Sequence, residues 1–143
     1  MRTEQEIEIR QISMYCEIIK VLLKEHNYLS ISKICVFSFL LKRENVIDAT
    51  IFNNNMTKNI VSTYLSLLLG EFDQFEKSLE YIFKALNILI LNSVVKNQEG
   101  TLCLLKNFDE SCYYEEKLFT KRVIEESKKW SDKRFMREVL YNV

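Results

Sequence analysis

The chain is 143 residues long, enough to bury one substantial hydrophobic core and too short for two. Its 48% hydrophobic and 28% charged content excludes a disordered polymer. Twenty basic residues against 20 acidic ones exclude a net field able to hold a polyanion or an acidic membrane surface. With no proline and only two glycines, a strand-and-corner architecture lacks its punctuation, and the composition predicts a mainly α protein.

The first helix is expected to begin at Thr3. Thr3 and Glu6 have the capping-box spacing, and Ile12, Tyr15, Ile19, Leu22 and Leu23 then recur on one helical face. The helix should stop near His26 and Asn27. Ser30 can cap a second segment carrying Ile34, Val36, Phe37, Phe39, Leu40 and Leu41, which is apolar nearly all round and belongs in the middle of a core. Periodicity alone leaves that segment open between a buried helix and a buried strand. Residues 42–55 are irregular, polar and asparagine-rich and read as a connector. A third helix is expected over 56–69, with Ile60, Val61, Tyr64 and Leu68 inward and Gly70 ending it.

The strongest helical signal covers 73–91. Asp73 and Glu76 repeat the capping spacing, and Phe75, Leu79, Ile82, Phe83, Leu86, Leu89 and Ile90 follow a 3.6-residue period. Two short β-favouring runs, 93–95 and 101–105, flank a glycine-containing turn and predict a β-hairpin. Two more helices should follow, over 113–130 and over Asp132–Asn142, the second with Phe135, Met136, Val139 and Leu140 inward. The predicted core includes Ile19, Leu22, Phe37, Leu40, Leu79, Ile82, Phe83, Leu86 and Leu89. Helices followed by a helix that runs into a hairpin is the order of a winged helix. The expectation is therefore one winged-helix-like domain over 1–143 with a C-terminal helical extension.

That architecture usually places a helix in the DNA major groove. Here the helix in the reading position carries Asp73, Glu76 and Glu80 against Lys77 and Lys84, and the hairpin turn offers Lys96 beside Glu99 and no arginine. An acidic helix cannot neutralise phosphates, so the scaffold is expected to bind protein. The only dense charge run, 115–138, sets eight basic residues against six acidic ones, as expected of a solvated helix surface, with a modest phosphate-facing stripe from Lys128 to Arg137 as the alternative.

Chemistry is sparse. Cys16, Cys35, Cys103 and Cys112 form no CxxC pair and His26 is the only histidine, so neither a zinc site nor a nucleophile–base pair can be assembled from the spacing. No phosphate-cradling GxxxxGK[ST] loop is present. The expectations are no catalytic residues, no cofactor and no metal. The charged N-terminus and the short apolar runs point to a cytoplasmic chain that meets no membrane.

Four stretches carry a family resemblance: KICVFSFLLKRE, EYIFKALNILILNSVVKNQEGTLCLL, KRVIEESKKWSDK and the terminal REVLYNV. They resemble the small middle components of bacterial ABC-three-component systems, the group that includes the Lamassu-type anti-phage systems. The shared pattern is a buried second helix, a helix leading into a short glycine-bearing hairpin, a helix ending in a tryptophan segment, and a short closing helix. The sequence departs from it in placing Ser127, Lys128 and Lys129 where the family carries glycine or alanine, and in having no proline after the second helix. The resemblance implies a non-catalytic bridging subunit between an SMC-like coiled-coil ATPase and a nuclease-like effector, which meets DNA only through the complex. The partner surface expected from aromatic and arginine content is Phe108, Tyr113 and Tyr114, rimmed by Lys133, Arg134 and Arg137. Two other readings compete: a winged-helix DNA-binding regulator, and an antitoxin-type protein that masks one partner.

Overall fold

Thr3 does cap the first helix. In the computed structural model, which describes residues 3–43, 59–106, 114 and 118–142, its hydroxyl accepts the Glu6 amide at 3.2 Å. Helix α1 runs Glu4–His26 and ends at Asn27, whose φ of 70° breaks the helical path. A short strand, β1, follows at Tyr28–Ser30. The Ser30 hydroxyl then accepts the Lys33 amide at 3.3 Å and starts α2, Ile31–Arg43. Every residue from Lys33 to Leu41 is buried, which settles the apolar segment as a core helix.

Helix α3 covers Ile60–Leu65 and tightens into a 3-10 turn at Ser66–Leu68, after which Gly70 takes a φ of 78°. Positions 56–58 of the expected third helix lie outside the described residues, as does the connector beyond Arg43. The long helix α4 spans Phe72–Leu91. Strands β2, Val95–Gln98, and β3, Thr101–Leu104, form the predicted hairpin, with β2 beginning later than the β-favouring run suggested. Its loop is the pair Glu99–Gly100, with φ of 54° and 87°. Positive φ at both central residues is the signature of a type I′ turn, whose twist matches the flanking strands. Replacing Gly100 by alanine should cost about 1 kcal/mol, since the added Cβ meets no neighbour but is strained at that φ. Thermal unfolding would show it, and an unchanged midpoint would refute the turn assignment. Helices α5, Leu118–Ser127, and α6, Asp132–Asn142, close the chain. The expected start of α5 near Tyr113 lies partly outside the described residues, and α5 ends three residues before Trp130.

The sheet order is β1-β3-β2, antiparallel throughout, with Leu29 opposite Leu102 and Val95 opposite Leu104. The amide of Ile31 extends the ladder to the Gly100 carbonyl at 2.9 Å, tying the start of α2 to the hairpin turn. Helix, strand, helix, helix, helix and hairpin, with the first strand paired to the last, is winged-helix-like topology in a mainly α protein. Helices α5 and α6 contribute Val123, Ile124, Phe135 and Val139 to the same core as α1, α2 and α4.

Four details of the helical faces depart from expectation. Asp73 sits inside the first turn of α4, and the capping position falls to Glu71, which makes no side-chain cap bond. Phe83 is 51% exposed, so it is not a core residue, and Ile90 on the same flank is also exposed. Leu79 is half-buried against the core. On α6, Phe135 and Val139 point inward and Met136 is half-buried, but Leu140 is 66% exposed. Each helical step turns about 100°, so a run such as Ile82-Phe83 cannot face one partner. Helix α4 buries Phe75, Ile82, Ala85, Leu86 and Leu89 instead. Ala85 marks a close approach of α1, where its carbonyl accepts the Cys16 thiol at 3.8 Å.

Candidate protein-binding surfaces

Two surfaces are candidates for a site: the outward side of α4 and the region where α5, α6 and the start of α2 meet. On α4 the outward side displays Asp73, Glu76, Lys77, Glu80, Phe83, Lys84, Ile88 and Leu91. Lys84 is engaged by Glu8 of α1 and by Glu80 at 3.1 Å, so its charge is already neutralised. In the position from which a winged helix reads DNA, this chain therefore shows carboxylates and apolar side chains. The hairpin adds exposed Lys96 and Glu99.

The second region is built around a buried cation. Lys33 lies in the first turn of α2 and is only 6% exposed, and its ammonium donates to the Trp130 carbonyl at 2.8 Å. Burial holds this lysine below its ordinary value, with the Asp132 carboxylate opposing that shift and Lys128 adding to it. Ser30 donates to the Asp132 carboxylate at 2.6 Å, which joins the first turns of α2 and α6. The Ser131 hydroxyl accepts the Arg134 amide at 3.1 Å and caps α6. Trp130, thus fixed through its backbone, lies face-on to Arg134, whose guanidinium carbon is 3.9 Å from the ring centre.

Next to it, the sole histidine bridges α1 and α5. His26 is 2% exposed, with Nδ1 2.5 Å from the Glu125 carboxylate. Lys128 approaches the same carboxylate at 3.2 Å, donates to the His26 carbonyl, and sits 4.4 Å over the Tyr28 ring. Burial by itself would raise the Glu125 carboxyl, but the hydrogen bonds from His26 and Lys128 outweigh it and hold the group below the usual carboxylate range. A depressed carboxyl adds stability above its ordinary value, and that stability is lost as pH falls through the folded-state value. Because Glu125 is about half exposed, the effect is small, roughly 0.5 kcal/mol. Glu125→Gln should therefore lower the unfolding midpoint slightly at neutral pH and flatten its decline toward acid. A variant whose acid limb is as steep as the parent's would contradict this.

Of the residues expected at the partner surface, Lys133, Arg134 and Arg137 fall on the outward side of α6. There they are joined by Leu140 and by Tyr141, which is 84% exposed. Among the described residues no carboxylate pairs with these three cations. Tyr114 is half-buried and packs against the core. Phe108 and Tyr113 lie outside the described residues, so the basic rim is seen without its expected aromatic centre. Lys33, Arg122 and the Trp130–Arg134 stack were not anticipated. Lys33 did leave a signal, since it is a single cation at the head of an otherwise apolar run.

Cys35 is buried and its thiol is pushed up to about 12 by burial, which removes any thiolate character at neutral pH. Cys16 and Cys103 are half-buried, and Cys112 lies outside the described residues. Among the described residues no group of three or more histidine, cysteine or carboxylate side chains is gathered as metal ligands would be. No helix among them is long and apolar enough to cross a membrane. Comparison with protein-family models, curated proteins and solved structures returned no match to this chain.

Proposed function

We propose that this chain is a non-catalytic bridging subunit that uses a winged-helix scaffold to bind protein. The observation that carries the reading is the outward side of α4, where Asp73, Glu76 and Glu80 stand with Phe83, Ile88 and Leu91. Apolar groups among polar ones suit a protein interface, and the carboxylates repel a phosphate backbone. The nature of the complex rests on the resemblance of 33–44, 80–105, 121–133 and 137–143 to the middle components of ABC-three-component systems. On that reading the chain links an SMC-like coiled-coil ATPase to a nuclease-like effector in anti-phage defence, and restrains the effector until foreign DNA is sensed.

The test is affinity capture of the tagged chain from its native host, followed by mass spectrometry. The expected result is co-recovery of an SMC-like ATPase and a nuclease-like effector. Recovery of the bait alone, running as a stable monomer or homodimer, overturns the proposal. Sub-micromolar, sequence-specific DNA binding by the isolated chain at physiological salt would overturn it in favour of a regulator.

A further inference from the structure

An open cleft of about 390 Å³ lies between α3, α5 and α6, with no α4 residue in its lining. Its lining is more polar than apolar: Arg122 and Arg134 supply its cations, half-buried Ile60 supplies most of its apolar side, and the buried Val61 and Trp130 reach it only at their edges. Neither arginine has a carboxylate partner among the described residues. The one carboxylate lining the cleft, Glu126, is taken by Lys129 at 3.2 Å. The platform is rigid: the Trp130 carbonyl is held by buried Lys33, its amide donates to the Ser127 carbonyl at 3.0 Å, and Arg134 stacks on its ring. Stacking occupies the face of a guanidinium and leaves its N–H edge for a carboxylate, which it matches with two parallel bonds.

Resting on the protein-binding reading above, we infer that this cleft binds a segment of a protein partner that presents a carboxylate beside an apolar side chain. The carboxylate is held by Arg122 and Arg134, and the apolar group lies against Ile60 at the edge of the Arg134–Trp130 stack. A nucleic acid fits less well. Affinity for a phosphate backbone grows with the number of phosphates neutralised; the cleft itself is lined by two arginines beside Glu126, while Lys133 and Arg137 stand outside it on the outward side of α6, so a strand seated in the cleft meets few cations.

Trp130 is the chain's only tryptophan, so its emission reports on this cleft directly. The probe is the capped tetrapeptide Glu-Leu-Glu-Phe, titrated into the full chain at physiological salt. Its Gln-Leu-Gln-Phe counterpart and a short single-stranded oligonucleotide are the comparisons. The expected result is a saturable change in emission with the glutamate peptide and roughly tenfold weaker binding of the glutamine peptide. Arg122→Ala should weaken the glutamate peptide by a similar factor. Arg122→Lys, which keeps the charge but loses the fork, should fall between. Arg122 is exposed, so both variants should fold, and unchanged circular dichroism would confirm it. Equal binding of the two peptides would reduce the cleft to an apolar groove and overturn the inference. Saturation by the oligonucleotide alone, or by none of the probes, overturns it as well. If Arg122→Ala loses the peptide but still captures the ATPase, the bridging reading survives and this cleft is not the ATPase contact.

Discussion

Replacing Phe37 by alanine should lower the unfolding free energy by about 3–5 kcal/mol. Phe37 is fully buried in α2 and packs its ring 5.4 Å from Phe135 of α6 and 6.1 Å from Tyr64 of α3. The substitution removes the transfer free energy of a whole ring and leaves a cavity lined by three helices. It also deletes two aromatic contacts, each adding roughly 0.5–1.5 kcal/mol beyond burial. Relief by collapse is limited, because α2 is buried on nearly every side and has no solvent-facing direction in which to shift. Urea denaturation should show a lower midpoint at an unchanged slope. A loss below about 1 kcal/mol would mean that α6 does not dock as described.

The second large effect is a contrast between neighbours on α4. Leu86→Ala should cost about 2–5 kcal/mol, because Leu86 is 4% exposed in the core stripe. Phe83→Ser, three residues earlier on the same helix, should change stability by no more than about 0.5 kcal/mol, because half of its surface already faces solvent. If the outward side of α4 is a partner contact, Phe83→Ser should nevertheless reduce recovery of the partners in affinity capture. Stability and capture measured side by side thus separate the two faces of one helix. A Phe83 variant that unfolds like the Leu86 variant would put Phe83 back in the core and remove the exposed face on which the bridging reading rests.

Much of the local structure was legible because it depends on neighbours in the chain. Thr3 and Ser30 cap their helices through amides three residues on, and α6 begins and ends where its pattern placed it. The Glu99–Gly100 turn announces the hairpin by the same short-range logic. Strand β1 was missed. Three residues between two helices are too few for alternation to register, and Tyr28–Ser30 is a strand only because β3 supplies the other half of its hydrogen bonds. Asp73 has the right spacing to Glu76 for a cap, but the capping position falls two residues earlier, at Glu71.

The candidate sites divide along the same line. Lys133, Arg134 and Arg137 share a face by helical spacing alone, and that much could be read from residue order. The cleft of Arg122, Trp130, Arg134, Ile60 and Val61 could not, since it exists only where α3, α5 and α6 meet. The helical class, the Thr3 and Ser30 caps, the hairpin and the acidic character of α4 all follow from composition or from interactions within a few residues. Which apolar residues are core depends on how the helices pack, which turns Ala85 inward and Phe83 and Leu140 outward. It also gave Lys33 a buried partner in the Trp130 carbonyl. The physical reason is that amphipathic periodicity marks an apolar stripe wider than one contact line, and only the packed neighbour chooses which edge of that stripe leaves water.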